Sequence, residues 1–267
     1  MSTLCAELRQ VWNYRRFILG AVAREFKSRF NRSVLGVLWL LAAPFAMITI
    51  YVVVFSHVMQ ARVPGSGDIY AYSVFICAGM LPWQWFAELL SRNTGVFVDN
   101  AGLVKKNNFP RLVLPTINLF ASGFNYFLAS AIFFTFLIAT GTWPGLVVLM
   151  IIPLLLLQSL FASALGFLLG VINVFFRDVG NAVGLVLQFW FWLTPIVYAA
   201  DALPKNLKTY LSFNPMLPII RGYQDIFLHR AMPDFSSYVP ILVLTLLLTL
   251  LAYQAYQKAS PQITDEL

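Results

Sequence analysis

Charged residues are sparse along this chain, and the intervals between them are almost wholly apolar. Residues 33–61, 69–87, 179–200 and 235–257 contain no Asp, Glu, Lys or Arg. A charge at mid-bilayer costs about 2.5–3.5 kcal/mol on insertion scales, so each such interval predicts one membrane-spanning helix. A fifth interval, 112–176, is too long for one crossing and is broken by Thr140-Gly141-Thr142-Trp143-Pro144-Gly145, a strong turn composition, so it predicts two. The expected fold is an all-α polytopic membrane protein with six transmembrane helices at roughly 34–57, 69–89, 113–139, 145–175, 180–200 and 238–257. Runs such as Leu154-Leu155-Leu156-Leu157 exclude the alternating strands of a membrane barrel.

The remaining chain is short. Residues 1–32 form an expected interface helix, 33–257 the transmembrane domain and 258–267 a cytoplasmic tail. Of the 267 residues, 60% are hydrophobic and 11% charged, against about a quarter charged in soluble domains. Little chain is left for a catalytic module in water. Lys and Arg fix the expected orientation: Arg9, Arg15, Arg16, Arg24, Lys27, Arg29 and Arg32 precede the first span, and Arg92, Lys105, Lys106 and Arg111 follow the second. Arg62 alone lies between the first and second, and none lies between the third and fourth, which predicts both termini in the cytoplasm. The net charge of +7 then reflects topology and anionic headgroups rather than nucleic acid. The first thirty residues lack a signal-peptide pattern, so the chain is expected to keep its own N-terminus. Cys5 and Cys77 make no disulfide framework.

Residues 4–30 place Leu8, Val11, Trp12, Ile18, Leu19, Val22 and Phe26 at helical spacing, with Arg9, Arg16, Arg24 and Lys27 available for a polar face. That pattern suits a helix lying along the headgroups, whose bases serve either as anchors or as partners for a lipid-linked phosphate. Residues 93–111 are mixed apolar and charged, as in a solvated connector or an element that lies in a partner's groove. The outer loop 201–237 is too apolar for water; it reads as two short re-entrant helices broken at Asn214-Pro215, with Arg221 and Asp225 paired at i,i+4. It is either a static cap or an outer gate. Each span carries one proline, namely Pro44, Pro82, Pro115, Pro153, Pro195 and Pro240, which neighbouring helices make tolerable. Gly166/Gly170 and Gly180/Gly184 have the small-xxx-small spacing of close helix contacts. Trp83, Trp85 and Phe86 in the second span, with Phe189, Trp190, Phe191 and Trp192 in the fifth, are either membrane-facing or walls of a conduit for sugars.

Several chemistries have no footing. The pattern G-x-x-x-x-G-K-[ST] does not occur, nor does H-E-x-x-H or G-x-S-x-G, and no span holds a carboxylate pair. His57 and His229 stand singly near outer ends of spans, and Glu88 is the one ionisable group inside them. Ion-coupled carriers usually place ionisable groups at mid-membrane, so the energy source is expected in a partner.

Four ordered motifs carry a resemblance. They are Arg24-Glu25-Phe26-Lys27-Ser28-Arg29-Phe30 followed by Ser33, Leu35-Gly36, Trp39 and Pro44; Asn100-Ala101-Gly102-Leu103-Val104-Lys105-Lys106 with Phe109-Pro110-Arg111; Phe175-Phe176-Arg177-Asp178-Val179; and Phe213-Asn214-Pro215. Over nearly its whole length the chain resembles the permease subunits of type-2 ABC transporters, in the branch that exports O-antigen, capsular polysaccharide and teichoic acid. The resemblance implies a non-enzymatic transport subunit in a bacterial inner membrane. It would be a homodimer of this chain, joined by two ABC ATPase subunits that bind the ATP and Mg, with no cofactor held by this chain and a polyprenyl-pyrophosphate-linked polysaccharide as cargo. On that analogy Asp99, Asn100, Leu103, Lys105, Lys106, Arg177 and Asp178 contact the ATPases. Arg15, Arg16, Arg24, Lys27 and Arg29 receive the substrate; Trp83, Trp85, Phe86, Phe189, Trp190 and Trp192 stack on sugars; and Asn214, Pro215, Arg221 and Asp225 belong to the outer gate. Rival readings are a type-2 permease for a small hydrophobic drug or lipid and a polytopic glycan-modifying enzyme.

Overall fold

A computed structural model describes residues 9–30, 38–54, 69–105, 109–199 and 204–267, and among them there is no strand. The helices in chain order are α1 (Arg15–Phe30), α2 (Leu38–Tyr51), α3 (Ala71–Thr94), α4 (Ala101–Val104), α5 (Val113–Ala139), α6 (Ile151–Phe175), α7 (Asp178–Trp192), α8 (Lys205–Leu211), α9 (Met216–Gln224) and α10 (Val239–Glu266). A 3-10 turn, Gly145–Met150, leads into α6, and a π turn, Asp225–His229, follows α9. Between α5 and α6 the chain reverses on Gly141 and Gly145, whose φ angles of 70° and 75° favour residues without a Cβ.

The helix α3 is the core of the bundle. In its most apolar stretch 78% of residues are buried, against 22–28% in α5, α6 and α10, so α3 is wrapped by protein while the others present apolar surface outward. It packs against α5, α6, α7 and α9, and α6 in turn packs against α10. Gly166 and Gly170 bring α6 against the α3 backbone: a Cβ at Gly166 would stand 2.8 Å from Asn93 Cβ and 3.0 Å from the Leu90 carbonyl, and one at Gly170 would overlap the Asn93 carbonyl. The expected close contact is therefore made at this pair. Among the described residues a Cβ at Gly184 would meet nothing within 4 Å and one at Gly180 would meet only the Asn173 side chain of α6, so the second pair makes no close approach to another helix backbone.

Among the described residues, four helices are long and apolar enough to cross a membrane: α3, α5, α6 with its leading turn, and α10 with its leading turn. The expected fifth span is shorter than its uncharged interval. α7 has 15 residues, about 22 Å at 1.5 Å per residue, and the chain runs irregularly over 193–199. Thr194 Oγ1 donates to the Trp190 carbonyl at 2.8 Å, and Pro195, which has no N–H to donate, follows where a further turn would form. The first expected span contains α2, 14 residues continued by a π turn over 52–54, while 34–37 and 55–57 lie outside the described residues. At the other end of the chain α10 continues past Lys258 to Glu266, so most of the expected tail is helix.

Candidate functional site

The features singled out by the sequence gather at two ends of the bundle. At the first, α3 ends at Thr94 and the chain turns through Gly95–Asn100 into α4. The turn is anchored from beneath, where Val96, Phe97 and Val104 are buried with Phe167, Val171, Tyr256 and Ile263. Phe97 meets Phe167 at 5.5 Å and stacks on Tyr256 at 6.3 Å. Asn100 Nδ2 donates to the Val96 carbonyl at 2.9 Å and closes the turn. On the opposite face Asp99, Gly102 and Lys105 are exposed, and Leu103 is half-buried; Lys106 lies outside the described residues. Arg177 and Asp178 are exposed at the α6–α7 junction.

One buried residue ties these two segments. Asn173 Nδ2 donates to the Thr94 carbonyl at 3.0 Å, while its Oδ1 accepts from the Gly180 amide at 2.9 Å. The start of the α3–α4 turn and the start of α7 therefore share a single side chain.

Phe109 and Arg111 join both chain ends to the same place. Phe109 meets Tyr14 at 6.0 Å and Phe17 at 5.7 Å, edge to face, on the N-terminal segment. Arg111 Nη1 donates to the Ser260 carbonyl at 2.6 Å and to Ser260 Oγ at 2.9 Å, and Nη2 donates to Thr264 Oγ1 at 2.6 Å on α10. The helix α1 turns Ile18 inward, with Val11, Val22 and Phe26 half-buried, and leaves Arg15, Arg16, Arg24 and Lys27 exposed; Trp12 and Leu19 stand outside with these bases. The Arg29 side chain lies outside the described residues. Glu88 is not isolated, because its Oε1 accepts from Arg92 Nε at 2.9 Å and from Asn125 Nδ2 at 2.9 Å, and Arg92 Nη2 reaches Glu25 Oε1 on α1 at 2.8 Å.

The mid-span aromatics divide. Trp83, Trp85 and Phe86 are buried within the protomer: Phe86 stacks on Phe161 at 5.7 Å, and Trp85 Nε1 donates to Ser122 Oγ at 3.2 Å. Phe189 and Trp192 are 72% and 64% exposed, which leaves these two facing outward. Trp190 bridges the groups, with its ring 5.3 Å from Phe86 and its Nε1 donating to Asn214 Oδ1 at 2.8 Å.

At the second end, α8 and α9 are the two short helices expected around Asn214-Pro215. Asn214 Oδ1 also accepts from the Met216 amide at 3.0 Å, and Nδ2 donates to the Leu193 carbonyl at 3.1 Å and to Thr194 Oγ1 at 2.9 Å. The expected Arg221–Asp225 pair is not formed. The backbone widens into a π turn at Asp225, and the carboxylate meets His229 Nδ1 at 3.0 Å instead. Arg221 and Asp225 both line a polar depression of about 260 Å³ with Asp234 and Tyr238. Asn214→Ala is expected to lower the thermal midpoint of the purified protein, since it strands the Trp190 and Met216 donors at about 1–3 kcal/mol for each buried group. Asn214→Asp retains the acceptor and is expected to fall in between; equal midpoints for all three proteins would refute the assignment.

The sequence profile of the ABC-2 type transporter family matches residues 17–228. An O-antigen export system permease protein RfbA of Klebsiella pneumoniae is 31% identical over 237 residues, covering 88% of each chain. One of the same name from Myxococcus xanthus is 28% identical over 262 residues, covering 97% of this chain and 98% of its own. The polysialic acid transport protein KpsM of Escherichia coli is 24% identical over 217 residues, or 80% of each. A multi-pass arrangement of apolar helices, two exposed segments tied together at one end and a profile match across most of the sequence agree: the chain belongs to the ABC-2 type transporter family.

Proposed function

We propose that this chain is the membrane subunit of an ATP-driven exporter that moves a polyprenyl-pyrophosphate-linked polysaccharide, O-antigen in the first instance, across a bacterial inner membrane. The observation that carries this is end-to-end similarity to permeases named for O-antigen export, 28–31% identical over 88% or more of both chains. A homodimer would pair with two ATPase subunits, which would bind ATP and Mg. The exposed Asp99, Gly102 and Lys105 of the turn and Arg177 and Asp178 of the α6–α7 junction are the proposed ATPase contact, together with Asn100, Leu103 and Lys106. Its apolar underside makes it a stiff lever rather than a loose loop. The bases of α1, with Arg29, would hold the pyrophosphate of cargo arriving from the cytoplasmic leaflet. Phe189 and Trp192 are the proposed sugar-facing rings, backed by Trp190, Trp83, Trp85 and Phe86.

The six-span reading is retained with α2 and α7 as short spans, both termini in the cytoplasm and α8–α9 re-entering from outside. Re-entry is supported by the depth of α9: a Cβ on Gly79, within α3, would meet Gln224 at 3.2 Å and Ile220 at 3.4 Å. Asn214 and Pro215 would then be the hinge of an outer gate, with Arg221 and Asp225 at its rim.

The test is deletion of the chain in its host, with surface glycan and intracellular lipid-linked polymer assayed together. Surface loss with polymer accumulating inside, restored by the intact chain and not when the partner ATPase is catalytically dead, is the expected result. Unchanged glycan in both pools, with no second permease present, overturns the polysaccharide assignment.

A further inference from the structure

The Glu25–Arg92–Glu88 triad stands between two elements that have separate tasks in the proposed function, and it joins them through one guanidinium. Arg92 is two residues from the end of α3. Its Nε is held at 2.9 Å by Glu88, one turn earlier on the same helix, and Asn125 of α5 donates to the same Glu88 oxygen at 2.9 Å. This fixes Nε to the bundle. Nη2, on the same side of the guanidinium as the Nε hydrogen, holds Glu25 of α1 at 2.8 Å. Arg and Glu side chains at this site are 22–31% exposed, sheltered enough for the pair to be directional.

Beyond Arg92 the chain leads directly into the ATPase-facing turn, and each residue on the way is held by α5, by α6 or by both. Asn118 Nδ2 donates to the Arg92 carbonyl and to Asn93 Oδ1, both at 3.1 Å; Asn93 lies against Gly166 and Gly170 of α6; and the Thr94 carbonyl is held by Asn173. A shift of the α3 end is therefore shared at once with α5, α6 and the start of α7. Helix α1 also meets this end through rings, Phe26 on Phe124 at 4.7 Å and Phe17 on Phe109 at 5.7 Å, which slide more freely than a charged hydrogen bond.

We propose that Arg92 is a positioning residue that registers the basic helix α1 against the ATPase-facing turn, so that cargo engaged at α1 and nucleotide turnover in the partner are felt by each other. This rests on the reading of α1 as the cargo-receiving helix and of 93–107 as the ATPase contact. An energetic link of this kind typically changes the linked event by about 5-fold or more.

The experiment uses the complete permease–ATPase complex in its host and in lipid nanodiscs, with Glu25→Gln, Arg92→Lys and the double variant. Glu25→Gln keeps the shape and an acceptor but removes the charge. It should leave the amount of assembled complex and its ATP hydrolysis within about twofold of wild type while surface glycan per unit of complex falls about 5-fold or more. The double variant should be no worse than Arg92→Lys alone, because that substitution already breaks the contact that Glu25→Gln weakens. Equal export by wild type and Glu25→Gln overturns the proposal alone. Loss of assembly and hydrolysis in step with export overturns it too, by reducing the triad to a structural clamp. A wild-type complex that exports no glycan overturns the parent reading first and this one with it.

Discussion

Gly102→Trp is expected to abolish both recruitment of the ATPase and glycan export while leaving the permease at its normal level in the membrane. Gly102 stands exposed on α4, and among the described residues a Cβ there would meet nothing within 4 Å, so the substitution introduces no clash with them at its base. Trp is also a better helix former than Gly by a few tenths of a kcal/mol, so α4 is not weakened locally. The effect is confined to whatever docks on Asp99, Gly102 and Lys105. A bulky ring at the centre of a packed interface forces the partners apart, and truncations at such centres cost about 2 kcal/mol or more; an insertion that prevents contact costs the interface itself. Co-purification of the ATPase with the tagged permease should fall at least about tenfold, the factor that 1.4 kcal/mol represents. Full recruitment and export by Gly102→Trp would move the ATPase contact away from this turn.

Much of this was legible along the chain, and the exceptions share a cause. Uncharged intervals located α3, α5, α6 and α10 because exclusion of charge from a bilayer acts on each residue separately. Thr140–Gly145 was readable as a reversal because its two glycines take the left-handed conformation that composition signals. The break at Asn214-Pro215 was readable from its proline, which has no N–H to continue a helix from before it and stands at the N-terminal boundary of α9. By contrast, Asn173–Thr94, Arg111–Ser260 and Arg92–Glu25 join residues 79, 149 and 67 positions apart, and nothing local marks such partners. Identical spacing gave opposite outcomes for Gly166/Gly170 and Gly180/Gly184, since spacing places small residues on one face without saying which helix lies opposite. The end of α7 was overrun because an uncharged interval bounds a helix only from outside, and Pro195 lay within it. Arg221–Asp225 failed because Asp225 has a second partner at the same spacing on its other side, and its carboxylate meets His229 instead.

Gly170→Leu is expected to remove most of the folded permease from the membrane. The obstruction a Cβ would meet is the Asn93 backbone carbonyl, inside a packed helix, and not the movable end of a side chain. At Gly166 the obstacles include the Leu90 carbonyl at 3.0 Å, so α6 cannot relieve the clash by rotating toward its neighbouring glycine. Overpacking typically costs about 1–3 kcal/mol when side chains can shift, and here the two backbones must separate instead. Separation would carry Asn173 away from the Thr94 carbonyl, leaving buried polar groups unpaired at about 1–3 kcal/mol each. Natural proteins have only about 5–15 kcal/mol in hand, so the sum removes a large part of the total. Gly170→Ala is expected to be intermediate, and Gly184→Ala to leave the fold unchanged because no described residue stands within 4 Å of that Cβ. Fluorescence-detected size exclusion of detergent extracts after graded heating checks all three: loss of the Gly170→Leu peak with an unshifted midpoint for Gly184→Ala is the expected pattern. A wild-type midpoint for Gly170→Leu would mean that α3 and α6 do not meet at this glycine.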